Sequence, residues 1–100
     1  MIVVAGTVAI KPGKRADALR VAQTMARATE AEAGCVRYRF FADLEDPLIF
    51  FLFEEWESDD ALARHFHTPH MKAFQQELPA LLAGRLDIRR YAVSASAPMG

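Results

Sequence analysis

One hundred residues form a single small domain; 52% of them are hydrophobic, 25% are charged, and the formal net charge is −1 with no cluster of Lys and Arg. That balance creates no field to attract nucleic acid or an anionic membrane, so neither is expected as a partner. The lone cysteine, Cys35, excludes an internal disulfide and a multi-cysteine metal site, as suits a cytoplasmic protein, and the N-terminal apolar run stops at Lys11, too short for membrane insertion.

Ile2 to Ile10 is rich in Val and Ile and is followed by Pro12-Gly13, which predicts a strand closed by a turn. From Lys14 to Ala33, Ala18, Val21, Ala22, Met25, Ala26 and Thr29 recur at helical spacing, and Gly34 supplies a stop. Cys35 to Ala42 alternates, placing Val36, Tyr38 and Phe40 on one face and Cys35, Arg37, Arg39 and Phe41 on the other. The short polar connection Asp43 to Pro47 then predicts a hairpin into a third strand. In that strand Ile49, Phe51, Phe53 and Glu55 oppose Leu48, Phe50, Leu52, Glu54 and Trp56.

Ser58 is placed to cap the next helix, with Asp59 and Asp60 in its first turn. Thr68-Pro69 reads as a restart, giving a second helical segment from His70 to about Leu82 that Pro79 bends or shortens. Gly84 ends the helical region, Leu86 to Val93 alternates as a fourth strand, and residues 94–100 are expected to form a loose tail outside a domain of residues 1–93. The order strand, helix, strand, strand, helix, strand is the α+β, ferredoxin-like βαββαβ arrangement with an antiparallel sheet. The third strand is apolar on both faces until Glu54 and Glu55, whereas a sheet covered by helices on one side alone would be polar on the other, so the second face also needs a cover. The simplest such cover is the sheet of an identical subunit, which predicts a homodimer.

Polar chemistry gathers after that strand. Glu54 and Trp56 share a face, where an indole N–H and a carboxylate reach one space; the competing reading is a tryptophan closing the core on a backbone carbonyl. His65 lies on the side of its helix that carries Ala61 and Leu62 and is a candidate base, against the alternative of a buried histidine bonded to backbone. His65, His67 and His70 resemble a metal cluster only on paper. Positions two apart on a helix point away from each other, the Thr68-Pro69 break separates His67 from His70, and no carboxylate lies between His65 and His70, so no metal is expected. Tyr38 and Phe40 can stack on a planar ligand, with Phe66 and His70 completing the expected lining. Cys35 reads as a small buried hydrophobe, and no glycine-rich phosphate loop or cofactor motif appears.

The run Ile10-Lys11-Pro12-Gly13, then Gly34-Cys35 with Tyr38, then Glu54-x-Trp56-x-Ser58-x-x-Ala61-Leu62-x-x-His65 and Thr68-Pro69-His70 resembles the antibiotic biosynthesis monooxygenase family over almost the whole chain. The likeness is to its small quinol monooxygenase-like members. It implies a dimeric α/β barrel, a cavity between sheet and helices in each subunit, and oxygenation of a quinol, anthrone or polycyclic phenol with no cofactor. His65 would be the base, and Trp56 and Tyr38 the donors or stacking walls. A haem-degrading branch of the same fold uses an asparagine in its first strand, and this chain has none. The alternative within the fold is a non-oxygenase, either an isomerase or a small-molecule-binding stress protein.

Overall fold

A computed structural model describes residues 1–84 and 86–100. The elements are β1 (Ile2–Ala9), α1 (Arg15–Glu30), β2 (Cys35–Ala42), β3 (Ile49–Trp56), α2 (Asp59–His65), α3 (Pro69–Glu77), a 3-10 turn (Leu78–Ala80) and β4 (Asp87–Ala92). The strands form one antiparallel sheet in the order β2-β3-β1-β4, the ferredoxin-like arrangement expected.

Register decides which side chains meet. Trp56 lies opposite Ile2 and Cys35, Glu54 opposite Val4 and Tyr38, and Leu52 opposite Gly6 and Phe40. Those residues share the helix-covered face, where Ile2, Tyr38, Leu52 and Trp56 pack with Met25, Ala61 and Leu62 in one buried cluster. Val8, Ile10 and Phe50 form a second cluster with Ala18, Val21 and Leu81. On its inner side α1 buries Ala18, Val21, Ala22, Met25 and Thr29.

Gly6 is required by the neighbouring strand rather than by its own torsions. A Cβ at this position would stand 2.0 Å from the Asp87 carbonyl oxygen and 2.5 Å from the Ile88 Cα. Gly34 has φ +84°, and a Cβ there would stand 2.5 Å from that of Ala61, so its missing side chain admits α2 beside the start of β2.

Three expectations need correction. Helix α1 ends at Glu30 rather than Ala33, although Ala31, Glu32 and Ala33 are good helix formers. The chain has to turn into β2, and it does so through bonds from Glu32 N–H to the Thr29 carbonyl and from Cys35 N–H to the Glu32 carbonyl. Val36 does not share a face with Tyr38. The β2–β3 register slips between Cys35 and Arg37, Val36 becomes the extra residue of a bulge and is exposed, and Cys35 joins Tyr38 on the core side. The last helix stops at Glu77, five residues before Leu82, because Pro79 has no N–H to continue it.

The second sheet face stays open. Phe41, Phe51 and Tyr91 on this face are 47%, 39% and 48% exposed, with Val3 and Phe53 half-buried among them. No described helix is long and apolar enough to cross a membrane.

Candidate functional site

Strand β3 ends by alternating Glu54 and Trp56 onto the core face. Trp56 is fully buried, and its Nε1–H donates to Glu54 Oε1 at 2.9 Å. Burial pushes the Glu54 carboxyl up to about 7, a rise that the Trp56 hydrogen bond opposes and the nearby charge of Glu32 reinforces. A proton therefore comes and goes at Glu54 near neutral pH.

Helix α2 carries the next group. Ser58 Oγ accepts from Ala61 N–H at 3.2 Å, and with Asp59 and Asp60 in the first turn the helix starts where it turns Ala61, Leu62 and His65 inward. His65 is 2% exposed, with its ring centre 4.9 Å from that of Trp56 and 5.8 Å from that of Tyr38. Thr68 then performs two tasks: its hydroxyl donates to the His65 carbonyl at 2.8 Å and accepts from Met71 N–H at 3.2 Å. That cap, with Pro69 opening α3, brings His70 back beside His65 at a ring separation of 6.0 Å.

Between the two histidines stands Glu32, from the turn that closes α1. Its Oε2 is 2.7 Å from both His65 Nδ1 and His70 Nε2. An ionised carboxylate only accepts, so with Glu32 ionised the neutral form of His65 carries its hydrogen on Nδ1 and has its lone pair at Nε2. The geometry is that of a histidine oriented by a carboxylate.

Tyr38 is buried beside this group. Burial first, and the Glu54 charge second, hold its hydroxyl far above the usual phenol range, so it stays a neutral donor. Burial and the charge of Glu32 push the Cys35 thiol up to about 11, which leaves it protonated at neutral pH, short of the thiolate a nucleophile needs. Thr29 Oγ1 is the one fully buried side-chain polar atom without a partner among the described residues.

The structure thus gathers five of the residues singled out from sequence: Tyr38, Glu54, Trp56, His65 and His70. Phe40 adjoins them through Tyr38, ring to ring at 5.7 Å, and on its other side lines a cleft of about 410 Å³ between α1 and β2. Ala22, Ala26 and Phe50 form the apolar wall of that cleft and Arg27 and Arg39 part of its polar rim; His65 and Trp56 do not line it. Phe66 is 49% exposed, with its ring 5.6 Å from that of His65. His67 is exposed.

Glu32 is the residue that reading for spacing missed. The carboxylate sought between His65 and His70 comes instead from 33 residues before His65. Its signal lay in the hairpin: pairing β2 with β3 sets Cys35 opposite Trp56, so the turn before Cys35 falls beside the start of α2, where Glu57 N–H bonds the Gly34 carbonyl.

Comparison with known proteins agrees with this architecture. The model of the antibiotic biosynthesis monooxygenase family matches residues 1–77. Protein sll1783 of Synechocystis sp. PCC 6803 is 36% identical over 93 residues, and the chain spans 63% of that relative's length. The "Putative monooxygenase YcnE" of Bacillus subtilis strain 168 is 31% identical over 94 residues, covering 94% of this chain and 99% of that one. Among solved structures, PA3566 from Pseudomonas aeruginosa superposes with a TM-score of 0.86 at 30% identity, over 94% of each chain. A match over three quarters of the length, with relatives that share the whole fold, establishes that the chain belongs to the antibiotic biosynthesis monooxygenase family.

Proposed function

We propose that the protein is a cytoplasmic, cofactor-independent monooxygenase that oxidises a quinol or polycyclic phenol with O2. Family membership supports the reaction class. The observation that carries the reading is the 2.7 Å contact between Glu32 and His65, whose ring lies 4.9 Å from that of Trp56, a carboxylate-backed base in an aromatic setting.

In this chemistry the substrate is its own reductant. His65 Nε2 takes the phenolic proton while Glu32 holds the tautomer and offsets the charge of the imidazolium. The electron-rich anion then passes an electron to O2; one oxygen atom enters the ring, the other leaves as water, and the quinol ends as a hydroxyquinone. Trp56 serves as a wall rather than a donor to substrate, since its N–H is engaged by Glu54. Tyr38 supplies the neutral O–H. The cleft beside Phe40 is of the size that takes a two- or three-ring aromatic. Phe40 packs on Tyr38, and proton transfer requires the phenolic end of the substrate to pass these rings and reach the buried His65.

A second copy covers the open sheet face, making the homodimer that Phe41, Phe51 and Tyr91 call for. Enzyme-dependent oxygen uptake with a reduced naphthoquinone, corrected for autoxidation, tests the oxygenase reading; no uptake above the autoxidation rate contradicts it.

One observation favours a non-oxygenase of the same family, an isomerase or a ligand-binding protein: His65 does not line the cleft. A ligand carried through purification and turned over without oxygen would support that reading.

A further inference from the structure

We propose that Glu32, His65 and His70 form a binding site for one divalent transition ion of the Zn²⁺ class. Their three donor atoms, one carboxylate oxygen and two imidazole nitrogens, lie within 4.8 Å of one another. Two imidazoles and a carboxylate suit Zn²⁺ over Mg²⁺ or Ca²⁺, and three protein ligands leave a fourth position for water or an anion.

The present distances describe the hydrogen-bonded form. Tetrahedral zinc sets its donors about 3.3 Å apart, so each Glu32 to histidine distance, now 2.7 Å, has to open by about 0.6 Å. Glu32 sits in the turn between α1 and β2 rather than inside a helix, and His70 occupies the first turn of α3. Both therefore adjust more easily than His65, which is packed against Trp56 and Tyr38. Side-chain exposures of 12% for Glu32 and 24% for His70, against 2% for His65, give the ion a way in from the His70 side.

Loading the site has a chemical consequence. An ion on His65 Nδ1 displaces the hydrogen held by Glu32, and the neutral ring then carries its hydrogen on Nε2. The lone pair that would take a proton from substrate is gone. Bound metal switches His65 from acceptor to donor, a step that rests on the oxygenase reading, whereas the binding itself does not.

Equilibrium dialysis of the chelator-stripped full chain against Zn²⁺ tests the binding. The expected result is one retained ion per chain, lost at least tenfold in affinity in His70→Ala and Glu32→Gln and kept in His67→Ala. Co²⁺ added instead gives the visible bands of a four-coordinate N/O site, also lost in His70→Ala. No retained ion, or retention that depends on His67 and not on His70 and Glu32, overturns the proposal. Oxygen uptake that is unchanged when Zn²⁺ is bound overturns the switch alone, and absent uptake in the metal-free protein counts against the oxygenase reading while leaving the binding result intact.

Discussion

Trp56 gives its indole hydrogen to Glu54 across 2.9 Å, and the two residues lie two positions apart on the core face of one strand. The pair holds a carboxyl group in the interior, and its proton sets how the fold responds to pH.

Glu54 titrates at about 7 in the folded chain against an ordinary 4.5. Between those values the folded chain holds the proton and the unfolded chain does not, so stability present at acid pH is lost as the pH rises through this window. The size is on the order of 3 kcal/mol across the window. Glu54→Gln keeps an acceptor for Trp56 and removes the ionisation. Denaturant melts at pH 5 and pH 8 should show the variant gaining on the wild type at the higher pH, with little difference at the lower.

Trp56→Phe keeps an aromatic ring but removes the pyrrole half of the indole together with its N–H donor, at a fully buried position. Glu54 then loses the one interaction that favours its charged form. The expected cost is about 1–3 kcal/mol and larger at pH 8 than at pH 5, measured by the same melts.

Gly6→Ala sets a methyl group against the backbone of β4, which has no side chain to move aside. The expected loss is about 3 kcal/mol or more, seen as a lower denaturation midpoint, and hydrogen exchange at Ile88 should accelerate with it.

The open sheet face gives an association test. Phe51 is at the centre of that face, opposite Thr7 and Phe41. Phe51→Lys places a charge there. Sedimentation should show a dimer for the wild type and a monomer for the variant; a monomeric wild type would remove the second copy from the account.

How far sequence reaches is visible in particular residues. The Ser58 cap and the Thr68-Pro69 restart were legible because each acts within three or four residues of itself. The alternation of β3 was legible too, since a two-residue period needs no partner. Val36 was not: a bulge is defined by the neighbouring strand, and a run of alternating types gives no sign of the slip. Glu32 escaped for a related reason. Its role follows from the hairpin register and the placement of α2, whereas the helix-forming character of Ala31 to Ala33 pointed to a longer α1. Trp56 and Tyr38 were expected beside His65 from the family resemblance; the carboxylate that orients it was not.

The most direct measurement compares initial oxygen uptake on a reduced naphthoquinone, corrected for autoxidation, in the wild type, His65→Ala and His67→Ala, each checked by circular dichroism to be folded. With His65 as the base, its removal should lower the rate about 100-fold or more, while removal of the exposed His67 should leave it within about twofold. Equal rates in the wild type and His65→Ala would contradict the role given to His65.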